Sequence, residues 1–240
     1  MEKTYNIVEL FSGIGSQAAA LKNLGVKINT VGTSEWDVHA IVAYDMIHGG
    51  TDIPADIARM SKDELLEKMS HYTFSNSGKA PLEYEALRTY SVESLRYIYT
   101  SIKRNHNFVD ISALEGKEMP DGIDILTYSF PCQDLSNVGA FHGYNKGIDK
   151  DSGSRSSLLW QVGRVLTEMK DTGKTLPRFL LMENVPTLLS QRHKKNFETW
   201  IGELSKLGVR QQILPAECFV FWPPPEPPPP FDDQCICRRR

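Results

Sequence analysis

Two residues of this chain carry the chemistry of a nucleophile and of an acid, and each follows an apolar run that stops abruptly. Cys132 lies within LTYSFPCQDLS at 126–136, where Ile123, Ile125 and Leu126 lead into Pro131-Cys132-Gln133 and then a polar, glycine-containing loop. Glu183 follows Arg178-Phe179-Leu180-Leu181-Met182 and opens Glu183-Asn184-Val185-Pro186. Both runs read as buried strands. A strand that ends there delivers its next side chains beyond the carboxyl edge of the sheet, where open α/β folds bind their ligands. Cysteine is an intrinsically strong nucleophile once it has thiolate character. An isolated cysteine is more often a buried structural thiol. The proline before Cys132 and the polar loop after it weigh against that here.

These groups need a scaffold and something to act with. Positions 5–11, YNIVELF, form a short apolar run, and Ser12-Gly13-Ile14-Gly15 follows at once. Ala18, Ala19, Leu21 and Leu24 then recur at helical spacing up to Gly25. Strand, glycine turn and helix in this order suit a nucleotide-type cofactor. Glycine lets the backbone approach the ligand, and the helix start offers free N–H groups. Gly13 and Gly15 alone also fit an ordinary tight turn. A second strand over 28–33 ends at Ser34-Glu35-Trp36-Asp37. Glu35 stands about 20 positions after the glycine loop, where an acidic residue reads ribose hydroxyls in such folds. Trp36 offers a surface on which adenine can pack. The alternative for Glu35 is a carboxylate at the start of the helix carrying Val38, Ala40, Ile41 and Tyr44. Phe108-Val109-Asp110-Ile111 reads as a strand tip whose Asp110 can accept from an adenine amino group. Ser112 and Glu115, at capping-box spacing, give the competing reading of a helix start.

The remaining elements complete an α/β pattern. Gly49-Gly50 breaks the helix after the second strand. The spacing predicts one mixed polar helix over 56–70, a Ser-, Gly- and Asn-rich loop over 71–81, and a helix over 83–103. This excursion sits between two strands and packs on one side. His48, His71 and His106 lack metal-ligand spacing and read as surface or packing residues. Residues 137–157 hold four glycines and the basic Lys146, Lys150 and Arg155, as a long loop that closes over a substrate would. A helix over 158–169, a largely helical 187–207 and a strand over 209–214 follow.

Composition narrows the class. The chain has 240 residues, a formal net charge of -3 and 40% hydrophobic residues. That is enough for one sizeable domain. No signal peptide or membrane-length apolar run is present. Cys132, Cys218, Cys235 and Cys237 form neither a disulfide framework nor a zinc pattern. A reducing, intracellular location is expected. The near-neutral charge neither demands nor excludes nucleic acid, since a local basic face can bind phosphates.

Taken together, these motifs resemble those of the DNA (cytosine-5) methyltransferase family. Phe11-Ser12-Gly13-Ile14-Gly15 resembles its cofactor loop, Glu35-Trp36 its ribose site and Asp110-Ile111 its adenine-contacting pair. Pro131-Cys132-Gln133, with Asp134-Leu135-Ser136, is similar to the catalytic loop. Gly153-Ser154-Arg155-Ser156 is similar to the segment after the mobile loop, and Glu183-Asn184-Val185 to the catalytic glutamate segment. The likeness covers about residues 5–217. It implies a Rossmann-like, S-adenosylmethionine-dependent methyltransferase fold with a mostly parallel sheet, incomplete at the C-terminus. It also implies S-adenosylmethionine as methyl donor, no metal, and a flipped cytosine in double-stranded DNA as substrate. Catalytic residues would be Cys132, Glu183 and Arg155. Cofactor residues would be Phe11, Gly13, Gly15, Glu35, Trp36, Asp110, Ile111 and Pro131, and substrate contacts Gln133, Ser136, Asn184 and Arg155. A cytoplasmic, bacterial or phage-encoded monomer is expected, with no membrane partner and with a restriction endonuclease system as one biological setting. The competing readings are a catalytically silent cofactor- or DNA-associated fragment and another thiol-dependent α/β transferase.

From Cys218 onward the chain changes character. FVFWPPPEPPPPFDDQCICRRR cannot be a central strand or helix and reads in place as a polyproline tail. Read one base out of register, codons for Phe221-Trp222-Pro223-Pro224-Pro225-Glu226-Pro227-Pro228-Pro229-Pro230 can spell Phe-Gly-Leu-Pro-Gln-Ser-Arg-Arg-Arg-Arg. The family's next segment is Phe-Gly-x-Pro-Gln followed by arginines. A frameshift near Cys218 or Phe219 is therefore expected. The organisation expected is a catalytic domain over 1–217, an aberrant tail over 218–240 and no target-recognition domain. Little or no activity is expected of the chain alone.

Overall fold

The computed structural model describes residues 3–131 and 158–210. Four parallel strands form one sheet in the order β2-β1-β3-β4. They are β1 (Tyr5–Leu10), β2 (Ile28–Ser34), β3 (Ile125–Tyr128) and β4 (Phe179–Met182). The chain steps one way from β1 to β2, then returns to add β3 on the other side of β1. Ligands of open α/β sheets bind at the crevice this reversal opens, at the strand carboxyl ends. The α/β class and the parallel sheet match the expectation from sequence.

Helices cover the two faces unequally. Helix α1 (Ser16–Asn23) and helix α2 (Val38–His48) lie on the face carrying Ile7 and Glu9. The opposite face carries Val8, Leu10, Leu126 and Tyr128. These pack with Val162, Val165 and Leu166 of α7 (Leu159–Asp171) and with Trp200 and Leu204 of α8 (Lys194–Lys206). Gly163 lets α7 approach α8, because a Cβ there would stand 2.8 Å from Trp200 Cζ3.

The excursion after α2 builds a second core. The single helix expected over 56–70 is two, α3 (Ala55–Ala58) and α4 (Lys62–Met69). Ser61 ends the first run, because it caps α4 in a reciprocal capping box with Glu64. Likewise 83–103 divides into α5 (Tyr84–Leu87) and α6 (Val92–Arg104), with Ser91 capping α6. Leu65, Leu66 and Met69 of α4 join Leu95, Ile98 and Ile102 of α6 and Val38 and Ile41 of α2. Arg104 closes this layer through Asp45 Oδ2 at 2.7 Å and the Gly50 carbonyl at 3.1 Å.

Three other local expectations change. Residues 108–111 form neither strand nor helix. Glu115, not Ser112, takes part in a capping box, with Glu118, around the short 3-10 turn Gly116–Glu118. The helix expected over 187–207 becomes a 3-10 turn, Pro186–Leu189, followed by α8. The strand expected over 209–214 lies mostly outside the described residues.

Candidate active site at the carboxyl edge of the sheet

The glycine turn takes the conformation its sequence demands. Phe11, Gly13 and Gly15 have φ of +56°, +52° and +83°. The loop is closed by Gly15 N–H donating to the Ser12 carbonyl at 2.8 Å, and Ser12 N–H donating to the Ser34 carbonyl at 3.1 Å. Gly15 is irreplaceable on two counts. Its φ disfavours any side chain, and a Cβ would stand 2.7 Å from both His48 Cδ2 and Tyr44 Cε2. Helix α1 begins directly after it, with no side chain capping its start.

Glu35 meets this loop from the end of β2. Its Oε2 accepts from Gly13 N–H at 2.9 Å and its Oε1 from Asp37 N–H at 2.8 Å. Burial raises its carboxyl pKa despite these bonds. The helix-start role is taken by Asp37, whose Oδ1 accepts from His39 and Ala40 N–H. Glu35 is thus left facing the loop. Trp36 is half-buried and packs on the second core.

Beneath the loop lies a carboxylate that the sequence reading passed over. Glu9 is fully buried. Its Oε1 accepts from Ala18 N–H at 3.1 Å, and its Oε2 accepts from the Tyr44 hydroxyl at 2.5 Å. Burial raises the pKa of both Glu9 and Tyr44; the Glu9 carboxylate pushes the phenol up further, whereas the hydrogen bond from Tyr44 partly offsets the rise at Glu9. His48 Nε2 lies 3.1 Å from the Ile14 carbonyl, and burial lowers its pKa. The one signal for Glu9 was a charged residue inside the apolar run YNIVELF.

Asp110 lies beyond the end of β2. Its Oδ1 accepts from Ser112 N–H at 2.8 Å. Ile111 is buried in the main core, and its carbonyl accepts from Arg164 Nη2 of α7 at 2.9 Å. Asn107, also absent from the sequence reading, joins this segment to Glu35.

The β3–β4 end brings the expected acid to the residues that lead into the expected loop. Ser129 Oγ donates to Glu183 Oε2 at 2.7 Å. Ser129 stands three residues before Cys132 in the chain. Asn184 Nδ2 donates to the Phe130 carbonyl at 3.0 Å, while its Oδ1 accepts from Val185 N–H at 2.9 Å. Glu183 and the approach to Cys132 are therefore fixed to each other across adjacent strand ends. Pro131 is half-buried at the end of this approach. Cys132, Gln133, Ser136 and Arg155 lie outside the described residues. The described residues contain no cluster of three or more His, Cys, Asp or Glu able to hold a metal.

The model of the C-5 cytosine-specific DNA methylase family matches residues 5–75 and 89–219. The chain belongs to that family. Among its relatives, the orphan methyltransferase M.SssI of Spiroplasma monobiae is 36% identical over 217 residues, 88% of this chain and 54% of that protein. The type II methyltransferase M2.ScrFI of Lactococcus lactis subsp. cremoris is 33% identical over 220 residues, covering 89% and 56%. This methylase-family chain thus spans about half the length of these curated relatives. Among solved structures, S. pombe Dnmt2 methyltransferase aligns over 82% of this chain and 39% of its own, at 15% identity and a TM-score of 0.38. No helix among the described residues is long and apolar enough to cross a membrane.

Proposed function

We propose that this chain carries the catalytic half of a DNA (cytosine-5) methyltransferase. The observation that carries the reading is the shared edge: Glu183 held by Ser129 at the β3–β4 ends, beside the glycine loop at the end of β1. The residues fit S-adenosylmethionine. A Cβ at Gly13 would meet nothing within 4 Å, so the loop leaves open space next to an uncapped helix start, and the part-buried Glu35 bonds the loop there. That cofactor, when bound, supplies a methyl group on a sulfonium sulfur. Glu35 would take the ribose hydroxyls, Trp36, Asp110, Ile111 and Pro131 the adenine side, and Phe11, Gly13 and Gly15 the approach of the backbone.

The chain's own residues do the rest. Cytosine C5 is a weak nucleophile until C6 is attacked. The Cys132 thiolate forms an S–C6 bond and pushes the ring electrons toward C5, which can then take the methyl group. Glu183 hydrogen-bonds the Watson–Crick edge and stabilises a proton on N3, drawing electrons from C6. Transfer of the C5 proton to a water molecule acting as base re-forms the C5–C6 double bond as the S–C6 bond breaks and the thiolate leaves. Arg155, Gln133, Ser136 and Asn184 hold or steer the substrate. The base must leave the duplex to reach them.

DNA containing 5-fluorocytosine tests this, because fluorine cannot leave as a proton and Cys132 stays attached after methyl transfer. We place a reading-frame break near Cys218, close to residue 219 where the family match ends. A frame-restored form should trap, Cys132→Ser should not, and the 240-residue chain should trap weakly or not at all. A frame-restored form that never traps sinks the reading. A silent fragment is the second reading. It draws on Phe179 and Leu181, which are 46% and 47% exposed at the β4 end of the sheet face that α1 and α2 cover over β1.

A further inference from the structure

We propose that Asn107 is the positioning residue that couples the ribose-facing carboxylate Glu35 to the adenine-facing segment at Asp110. The inference rests on the cofactor-site reading above and assigns a role to a side chain outside it.

Asn107 is 6% exposed and spends its amide on three backbone groups. Its Oδ1 accepts from Glu35 N–H at 3.0 Å and from Val109 N–H at 2.9 Å. Its Nδ2 donates to the Glu35 carbonyl at 3.0 Å. One amide therefore pins both backbone polar groups of Glu35 and, from the same oxygen, the residue preceding Asp110. Glu35 and Asn107 are 72 positions apart in sequence, and no strand ladder joins the two segments. Among the described residues, they pair through the isolated bridge from Thr33 to Asn107, with Phe108 N–H donating to the Thr33 carbonyl at 2.8 Å and Thr33 N–H to the His106 carbonyl at 3.3 Å.

The chain also bends where this amide holds it. Val109 has φ of +64°, a left-handed conformation that a β-branched residue strongly disfavours. Ser34 Oγ donates to the Val109 carbonyl at 3.1 Å, so both polar groups of the strained peptide unit are held by side chains. Such strain persists only where surrounding contacts over-determine it. Here those contacts come from β2 and from Asn107, and they turn Asp110 back toward the end of β2. An aspartate at 107 would keep the two accepted bonds but set an oxygen against the Glu35 carbonyl. An alanine would leave three backbone groups unpaired.

The experiment uses the full chain and calorimetric binding of S-adenosylhomocysteine and its 2′-deoxyribose analogue. The ratio of the two affinities reads the Glu35–ribose contact. Asn107→Ala should weaken S-adenosylhomocysteine about tenfold or more and bring the ratio close to one. Asn107→Asp should fall between. Asn105→Ala, which removes a buried amide bonded to Asp45 Oδ1 at 2.7 Å, controls for general destabilisation and should keep the wild-type ratio. An Asn107→Ala chain with the wild-type ratio overturns the positioning role, as does an Asn105→Ala chain that loses the ratio equally. A wild-type chain that binds neither ligand overturns the cofactor site itself and the inference with it.

Discussion

Ile7 and Glu9 of β1 and Phe179 and Leu181 of β4 lie on the same face of one sheet, since Ile7 aligns through Ile125 with Phe179. Their surroundings are opposite. Ile7 and Glu9 are fully buried, beneath α1 and α2, whereas Phe179 and Leu181 stand about half exposed. The glycine-loop end takes its polar contacts from residues 3–111: Gly13 and Gly15 donate to Glu35 and Ser12, and Glu9 and Glu35 each accept two bonds. The β3–β4 end has good geometry at its tips but an open apolar face behind them. Preorganisation of the loop is thus a local property, while among the described residues two cross-strand side-chain bonds join the β3 and β4 tips.

Substitutions can break this contrast. The largest effect should come from Gly15→Ala, which meets both the φ penalty and the His48 and Tyr44 rings. A cost of about 3–5 kcal/mol in urea unfolding is expected, with loss of S-adenosylhomocysteine binding. Wild-type-like stability would show that the loop is softer than its packing indicates. Ile7→Ala should cost about 2–4 kcal/mol by the same assay, and Leu181→Ala no more than about 0.5 kcal/mol. Equal costs would mean that something covers β4. Asn184→Ala should cost about 1 kcal/mol, since it removes the bond to the Phe130 carbonyl. It should impair trapping by the frame-restored form more than it impairs cofactor binding.

The smallest effect is one of slope. Glu9 and Glu35 both have folded-state pKa values raised above 4.5 by burial. A raised carboxyl binds its proton more tightly when folded, so its stabilising term is full below 4.5 and is lost as pH rises through the folded value. Melting temperature should therefore fall on going upward from about pH 4.5, and Glu9→Gln should flatten part of that fall. An unchanged profile would remove Glu9 as its source.

Much of this was legible from local pattern. Apolar runs stopping at Gly13, Glu35 and Glu183 placed three strand ends correctly, because strand period and turn chemistry are short-range properties. Ser61 and Ser91 were legible as caps too, yet the surrounding helical spacing masked them. What sequence could not supply was pairing at long range. Glu9 finds Tyr44 35 positions on, and Asn107 finds Glu35 72 positions back. Nothing in either residue's neighbours marks the partner. The segment at 108–111 was misread because Val109 looks like a strand former, while side-chain bonds from Ser34 and Asn107 hold it left-handed.

The strand order also sets a timetable. During synthesis β1 can pair with β2 almost at once, but its other edge waits for β3, 118 residues later. At ribosomal rates that is roughly 6 to 24 seconds with a central strand half paired. The excursion is made during that interval, and its own core can gather against α2 meanwhile. It is thus a folding unit in its own right as well as a connection. Chains arrested shortly before Ile123 should already protect the amides of α6 from hydrogen exchange, while those of β1 facing β3 stay open.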